Sequence, residues 1–544
     1  MKAQYQHGSG SFARRRFLGT LGAASLAFGS SSFLGIGKAF GQRAGGARFF
    51  LREDRFGRMF PGLPAFAQPS QQLTQALIDI GKPGGVLDAK DNLAAGPTAL
   101  IVDPALSTDN ANNAEHTAGT TFVGQFLDHD MTFDLGSKLG VPLDPEDALN
   151  TRTPAFDLDS VYGGGPSRSP ELYLKGRDSI KFRVDSGGQF EDLPRRSNGT
   201  AIISDPRNDE NMMIAGLQAA FYLFHNHAVD ELRRRQPRLS NDEVFRAARR
   251  ITTWHYHWLI VNEVLPLFIG RDVVEDVLFR GRKFYRPSVG FIPVEFQGAA
   301  YRFGHTMVRP SYRANLAGDN GAAFFGLIFD PAGEGQSDPV DLRGGARAPR
   351  RFIDWETFFD FGSIARPSGT GTLGEDMRPN KLIDARISTP LFNLPLAAIP
   401  SGDRPTSLPQ RNLLRQVTWS LPSGQRIARE MGVEPLNPSE LGELRGYGLG
   451  LERSTPLWYY VLKEGGVRGK GLKLGPVGGR IVGEVIIGLL QMDDESYLTQ
   501  NPLWKPTLPT IMGSVTGEFR VIDFLAYAGV DPLSRAAKKG PAAA

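Results

Sequence analysis

The sequence predicts a mainly α-helical protein, built as one large domain with long irregular loops and little β structure. Three observations support this prediction. Apolar residues recur at steps of three or four over long segments, two-residue alternation is scarce, and no internal repeat divides the chain. The Pro- and Gly-rich stretches 330–350, 363–380 and 400–409 are therefore expected to be loops on one domain rather than linkers between domains.

Two segments show helical periodicity most clearly. In MMIAGLQAAFYLFHNHAVDELRRR, apolar residues from Leu217 to Leu232 return to the same face of a helix. The segment VFRAARRITTWHYHWLIVNEVLPLF is typical of a second helix. Long helices with few strands favour an all-helical core.

Composition excludes several classes of protein. Hydrophobic residues make up 41% of the 544 residues and charged residues 22%, which is usual for a globular chain. The net charge of +4 includes a basic N-terminal segment and a basic tail, so it does not indicate a nucleic-acid surface. With no cysteine, disulfides, thiolate ligands and thiol nucleophiles are excluded, and any metal must use His or oxygen ligands.

The N-terminus contains Arg14, Arg15 and Arg16, followed by a weakly apolar stretch rich in Gly and Ser. This pattern resembles a twin-arginine export signal, with Ala13 where Ser or Thr is more usual. It predicts export of the folded protein by the twin-arginine machinery to the periplasm or the exterior. A retained membrane anchor is the alternative, although the stretch is short and rich in glycine, and no stable membrane span is expected.

The stretch FVGQFLDHDMTFD places four polar or ionisable residues, Gln125, Asp128, His129 and Asp130, in an apolar run. Burying such groups without partners costs free energy. Either they satisfy one another in the core, or they face a cofactor or metal.

The eight histidines differ in their sequence context. His7 lies in the N-terminal segment, and His116 is predicted to lie in a polar loop. The HNH and HYH pairs point their rings about 200° apart on a helix, so packing and hydrogen bonding are expected there. This leaves His129, and His305 in FQGAAYRFGHTMVRP, where small residues would let a flat ligand approach the backbone.

Two further segments extend the pattern. SDPRNDENMMIAGLQ places Arg207 and Glu210 three residues apart, and SLPQRNLLRQVTWSLPSGQ offers Asn412 and Arg415. In this order the segments resemble the animal-type haem peroxidase superfamily, which includes myeloperoxidase, lactoperoxidase and peroxidasin, in a bacterial branch. The resemblance covers about residues 110–500.

The resemblance implies a haem b cofactor held between two histidines. His129 matches the distal acid/base, Gln125 the residue that holds distal water or halide, and Arg207 the distal arginine. Asp128 and Glu210 match the two carboxylates that form ester links to haem.

On the other face of the haem, the resemblance makes His305 the iron ligand and Asn412 its hydrogen-bond partner, accepting from Nδ1–H. Arg302 also matches the peroxidase pattern. The segment TPAFDLDSVYG corresponds to the calcium loop of the family. The implied calcium ligands are Asp130, Thr153, the Ala155 carbonyl, Asp157 and Asp159.

The implied function is a peroxidase that uses hydrogen peroxide to oxidise halides, pseudohalides or small organic donors through a ferryl intermediate, with a role in the response to oxidative stress. One imidazole can take a proton from peroxide and return it to the leaving oxygen, and a guanidinium stabilises the developing charge. Asn211 lies where myeloperoxidase has a methionine that makes a third link to haem, so chloride oxidation is not expected.

Two other functions remain open. A haem-dependent fatty-acid dioxygenase of the cyclooxygenase-like branch needs a tyrosine three residues before the iron-binding histidine, where this chain has Arg302. A non-catalytic haem or matrix-binding protein would have no need to keep His129, Arg207 and Gln125 together.

The resulting domain organisation has four parts. Residues 1–45 are the twin-arginine signal segment, 46–110 an N-terminal extension, 111–535 the haem peroxidase catalytic domain, and 536–544 a flexible tail.

Overall fold

The computed structural model describes residues 54–102, 109–186, 190–347, 349–362 and 377–539. The predicted signal segment, residues 1–45, lies outside them. Over the described residues the chain is mostly helical, which confirms the predicted fold class. The α-helices are α1 (Gln71–Ile80), α2 (Gly96–Val102), α3 (Gly119–Met131), α4 (Asp159–Tyr162), α5 (Met212–Arg235), α6 (Asn241–Leu259), α7 (Leu265–Ile269), α8 (Arg271–Arg280), α9 (Val294–Gln297), α10 (Gly304–Met307), α11 (Leu408–Thr418), α12 (Gly424–Glu430), α13 (Leu457–Arg468), α14 (Pro476–Met492), α15 (Tyr497–Gln500), α16 (Val521–Tyr527) and α17 (Pro532–Lys539).

The described strands are β1 (Phe56–Gly57), β2 (Asn112–Thr117), β3 (Ile292–Pro293), β4 (Ser311–Asp319), β5 (Ala322–Leu327) and β6 (Pro379–Lys381). They pair into three two-stranded sheets, in the orders β1–β3, β2–β6 and β4–β5. The β4–β5 hairpin was not predicted. Its turn contains Asn320 and Gly321, both with positive φ, and an Asn-Gly turn is the strongest short-range hairpin signal. Register shifts along the hairpin hide the alternation of its side chains.

The two long helices begin at residues that cap them. Asn211 precedes α5, and its side chain accepts from Ile214 N. Ser240 and Glu243 form a capping box at the start of α6. The second predicted helix is not continuous, because a π-helical stretch, Ile260–Val264, separates α6 from α7.

One hydrophobic core joins the N-terminal part to the rest. Phe56 and Leu77 belong to the same buried cluster as residues of α3, α5 and α14. The buried carboxylate of Glu295 accepts from Met59 N at 2.9 Å and Phe60 N at 3.0 Å. The boundary predicted at residue 110 therefore does not separate two cores.

Helix α3 lies at the centre of the candidate site. It packs against α5, against α10, and against the 3₁₀ helix Pro206–Asp209. Among the described residues, none of the helices has the length and apolar character needed to cross a membrane.

One smaller prediction was wrong. His116 does not lie in a polar loop: it is buried in β2, and Asn113 and Asn380 contact its two ring nitrogens. Helix α17 ends at Lys539, and the flexible tail over 536–544 stays a prediction.

Candidate functional site

Helix α3 presents Gln125, Asp128 and His129 to the site while its apolar residues hold it in the core. Phe126 and Leu127 are fully buried. The side chain of Asp128, by contrast, is 36% accessible, so the core does not enclose its carboxylate.

An amide orients the imidazole of His129. His129 Nδ1 lies 2.8 Å from Asn208 Oδ1, and Asn208 Nδ2 donates to Gln218 Oε1 at 2.8 Å. Because an amide oxygen can only accept, Nδ1 carries the proton and Nε2 keeps a free lone pair. Burial, together with the charge of Arg207, lowers the pKa of His129 to about 3, so the ring is neutral at pH 7.

Arg207 is held in place beside His129 by an aspartate. Its Nε and Nη2 donate to the two carboxylate oxygens of Asp205 at 3.0 and 2.7 Å, and Nη2 also donates to the His129 carbonyl at 3.1 Å. The ring of Phe133 stacks on the guanidinium with 4.0 Å to its centroid. Burial opposes the charge, but Asp205 raises the pKa of Arg207, so the side chain remains cationic.

Amide side chains also connect the remaining distal residues. Asn211 Nδ2 donates to Gln125 Oε1 at 3.2 Å, and Gln125 Nε2 donates to Glu210 Oε1 at 2.5 Å. Asp128 Oδ2 lies 3.7 Å from Arg207 Nη1. Burial raises the pKa of Asp128 and raises that of Glu210 to about 7, so both carboxyl groups retain protons more readily than exposed acids do.

His305 lies on α10, and Asn412 on α11 contacts it as predicted. The direction of the hydrogen bond differs from the prediction. Arg302 Nη1 donates to Asn412 Oδ1 at 3.1 Å, which leaves Asn412 Nδ2 facing His305 Nδ1 at 2.8 Å. A guanidinium can only donate, so the Asn412 oxygen accepts from Arg302, and His305 Nδ1 accepts a hydrogen bond from Asn412 Nδ2 rather than donating one.

Three of the predicted calcium ligands come together. Carboxylate oxygens of Asp130, Asp157 and Asp159 lie within 4.8 Å of one another. Burial and mutual repulsion raise the pKa of Asp130, and burial with repulsion from Asp157 raises that of Asp159 to about 7. Thr153 Oγ1 donates to Asp159 Oδ2 at 3.4 Å, and Ala155 lies in the same loop.

A family model described as "Animal haem peroxidase" matches residues 133–323. Human eosinophil peroxidase is 27% identical over 237 residues, which are 37% of this chain and 32% of that protein. "Peroxidase mlt-7" of Caenorhabditis elegans is 29% identical over 244 residues, which are 41% of this chain and 33% of that protein. Over residues 133–323 the chain is thus similar to the animal haem peroxidase family. It spans about a third of the length of these two relatives.

Two solved structures have a fold similar to that of this chain. Peroxidase A from Dictyostelium discoideum matches with a TM-score of 0.52 at 16% identity, over 82% of this chain and 89% of that one. A fatty acid alpha-dioxygenase from Oryza sativa matches with a TM-score of 0.52 at 15% identity, over 81% and 82%. At this identity the likeness shows the fold and does not distinguish the two activities.

The residues around His129 and His305 fit a haem if the hydrogen bonds of Asn412 rearrange. A Cβ added at Gly304, next to His305, would meet no atom within 4 Å, so open space borders the ligand residue. Among the described residues, no hydrogen bond reaches Nε2 of His305 or of His129. Iron ligation through His305 Nε2 requires that nitrogen to be unprotonated. The Asn412 amide must therefore turn over, so that its oxygen accepts from Nδ1, and Arg302 must then give up its hydrogen bond to Asn412, because a guanidinium cannot accept from the amide nitrogen.

The carboxylate cluster of Asp130, Asp157 and Asp159 has the chemistry of a site for a divalent cation. Asp159 Oδ1 is buried and accepts no hydrogen bond, and Arg152 Nη1 lies 3.5 Å from it. Clustered, hard carboxylate oxygens are the ligands that Ca²⁺ prefers. A divalent cation would neutralise the repulsion among these three acids.

Sequence reasoning missed the residues that hold the catalytic candidates. Asp205 holds Arg207, and Asn208 and Gln218 hold His129. For Asp205 and Asn208, the only signal in the sequence was their position on either side of Arg207 in SDPRNDENMMIAGLQ. Arg415 does not join the site, because it pairs with Asp134 at 2.7 Å.

Proposed function

We propose that this chain is a haem-dependent peroxidase that uses hydrogen peroxide to oxidise halides, pseudohalides or small organic donors. The observation that supports it best is the hydrogen bond from Arg207 Nη2 to the His129 carbonyl. This bond places a fixed cation beside a neutral imidazole whose Nε2 is free. His305 lies on α10, which packs against the same helix.

His129 and Arg207 have different roles in the cleavage of peroxide. His129 Nε2 takes the proton from one peroxide oxygen and returns it to the oxygen that leaves as water. Arg207 stabilises the negative charge that develops on the leaving oxygen, and Asp205 keeps its guanidinium from reorienting. Haem, when bound through His305, supplies the redox chemistry that cleaves peroxide and oxidises the donor.

The identity of residue 211 limits which electron donors the proposed peroxidase would oxidise. Asn211 caps α5 and donates to Gln125, so it is an amide with structural partners at the position of the family's third haem link. An amide cannot form a sulfonium link. Iodide, bromide, thiocyanate and phenols are therefore the proposed donors, and chloride is not.

Two accessory features belong to the proposal. Calcium binds at Asp130, Asp157 and Asp159, with Thr153 and the Ala155 carbonyl as further ligands, supported by the clustering of the three carboxylates. The twin-arginine machinery exports the protein to the periplasm or the exterior, supported by Arg14–Arg16 alone.

The fatty-acid dioxygenase is the weaker alternative. Tyr301 is the tyrosine nearest in sequence to His305, and its hydroxyl donates to the Gly124 carbonyl at 3.0 Å. Its ring stacks on Phe296 in the core. A phenol held in this way is not free to react with a fatty acid.

The test is steady-state turnover of haem-loaded protein with peroxide and a panel of halides, phenols and fatty acids. His129→Ala and Arg207→Ala are each expected to lower kcat/KM for peroxide by about 10²-fold or more, the usual scale for loss of acid/base or electrostatic stabilisation. Haem content, measured by the Soret band, should remain in both variants and fall in His305→Ala. Oxygen uptake with a fatty acid, in place of peroxide turnover, would contradict the proposal.

A further inference from the structure

We propose that Asn208, supported by Gln218, is a positioning residue that fixes the tautomer and the ring orientation of His129. The hydrogen bonds are observed in the structure, whereas their consequence for catalysis rests on the proposed peroxidase function. Neither Asn208 nor Gln218 has a role in the site predicted from the sequence.

Both amides are fully buried, so neither exchanges its partners with water. Asn208 Oδ1 faces His129 Nδ1 at 2.8 Å, and Asn208 Nδ2 donates to Gln218 Oε1 at 2.8 Å. Because each amide atom of Asn208 has a partner, turning the amide over alone would set its oxygen against Gln218 Oε1. The orientations of the two amides are therefore coupled, and Asn208 cannot turn over unless Gln218, whose Nε2 has no hydrogen-bond partner among the described residues, turns over as well.

One short segment controls both distal residues. Asp205 caps the 3₁₀ helix Pro206–Asp209 by accepting from Arg207 N at 2.9 Å. Arg207 and Asn208 are consecutive in this helix, so the cation and the support of the imidazole move together. Gln218 lies on α5, which provides a rigid base.

Loss of the Asn208 oxygen would leave the buried Nδ1–H of His129 without an acceptor. The ring could then rotate, or move its proton to Nε2. The Nε2–H tautomer cannot take a proton from peroxide. Asn208 thus acts through His129 and does not itself contact the substrate.

Asn208→Leu tests this role, with Asn208→Asp as the conservative variant that keeps an oxygen for Nδ1–H. The second carboxylate oxygen of that variant can accept from Gln218 once the Gln218 amide turns over, since Gln218 Nε2 has no hydrogen-bond partner among the described residues. Asn226→Leu is the matched control. Asn226 lies on α5, as Gln218 does, and makes two hydrogen bonds through its amide, to Phe182 N at 2.7 Å and Phe182 O at 2.9 Å, which lie away from His129.

The first readout compares two probes of haem-loaded protein. Hydrogen cyanide must lose a proton to bind ferric haem, whereas carbon monoxide binds ferrous haem with no proton transfer. Asn208→Leu is expected to slow cyanide binding about 10-fold or more, the scale seen when supporting hydrogen bonds of a site are lost. Carbon monoxide binding should stay within about 2-fold, and Asn208→Asp and Asn226→Leu should bind cyanide at nearly the wild-type rate.

The second readout needs no haem. Ring ¹⁵N shifts of His129, in protein labelled at histidine, should show a proton on Nδ1 in the wild type and a mixture of tautomers in Asn208→Leu. A wild-type proton on Nε2 would overturn the inference. So would wild-type cyanide rates in Asn208→Leu, or an equal loss for both probes, which would indicate a collapsed pocket.

The two hypotheses fail separately. If wild-type holoprotein binds cyanide but does not turn over peroxide, the proposed function fails while the tautomer result still supports the role of Asn208. If peroxide turnover is present and Asn208→Leu binds cyanide like the wild type, the inference fails and the proposed function stands.

Discussion

At the residue scale, Asp128 and Glu210 differ from ordinary buried acids because each keeps an oxygen free of hydrogen bonds. Glu210 Oε1 accepts from Gln125, and among the described residues no hydrogen bond reaches Oε2. Asp128 has Arg207 Nη1 at 3.7 Å, and its side chain remains accessible to the site. A buried carboxylate that becomes an ester loses its charge and with it the cost of desolvation.

We therefore predict that both carboxylates become attached to haem. Brief treatment of the holoprotein with peroxide, which supplies the oxidising equivalents, should leave haem mass on the denatured chain. Asp128→Ala and Glu210→Ala should each remove one link, and the double variant should release haem. Intact-protein mass spectrometry that finds only free haem b after treatment would exclude the esters without affecting the peroxidase proposal.

The sequence could indicate the reactive residues of the site but not the residues that orient them. His129, Arg207 and His305 stand out because their own chemistry is unusual in apolar runs. Asp205 and Asn208 are ordinary residues whose role depends on where the chain folds. The direction of the hydrogen bond between Asn412 and His305 depends on Arg302, which contacts the same Asn412 amide. The sequence does not show that these side chains meet.

At the element scale, helices α13 and α14 are joined by a buried acid. Glu464 on α13 accepts from Val477 N at 3.0 Å and Gly478 N at 3.2 Å, at the start of α14. A Cβ at Gly475 would lie 2.3 Å from the Glu464 side chain, so glycine is needed for the close approach. The carboxylate lies at the positive end of the α14 dipole.

This pair predicts how stability depends on pH. Burial raises the pKa of Glu464 from 4.5 to about 7, although the two N–H groups oppose the shift. The folded state therefore binds the proton more tightly than the unfolded state. The stabilisation is complete below pH 4.5 and is lost as pH rises through about 7, by at most about 3 kcal/mol.

Glu464→Gln keeps an acceptor oxygen and cannot ionise. The difference in melting temperature between this variant and the wild type should therefore change in favour of the variant as pH rises from about 4.5 to 8. Glu275→Gln, at an exposed position on α8, is the control and should follow the wild type throughout. A constant difference across this range would contradict the assignment.

The helices were easier to predict than the interruptions between them. Helix α5 follows its quoted segment from Met212 to Arg235, because a cap and a long periodic run agree. The π-helical stretch before α7 and the β4–β5 hairpin were missed. Apolar periodicity reports burial of a face, and neither an extra residue in a helix nor a shifted strand register changes that pattern enough to be seen.

At the scale of the whole molecule, two routes connect the acidic cluster to the distal residues. Asp130 adjoins His129 in α3, and its oxygens accept from Leu158 N at 3.2 Å and Ser160 Oγ at 2.9 Å. Arg152 lies between Asp159, at 3.5 Å, and Asp205, at 2.8 Å. A cation bound by Asp130, Asp157 and Asp159 would thus fix both the helix that carries His129 and Arg152, which donates to Asp205.

We predict that removing calcium lowers stability and activity together. A ligand present at 100 times its Kd stabilises the folded state by about 2.7 kcal/mol, so chelation should lower the melting temperature by a few degrees and reduce peroxide turnover. Metal analysis of active protein should find one calcium per chain. Asp157→Asn should lower both quantities and make them insensitive to the chelator, whereas Asp242→Asn, at an exposed carboxylate on α6, should respond to the chelator like the wild type. Burial and the repulsion from Asp157 and Asp159 raise the pKa of Asp130, and a bound cation would suppress that repulsion. If active protein contained no calcium and did not respond to the chelator, these acids would have to stay protonated. The calcium site would then have to be abandoned.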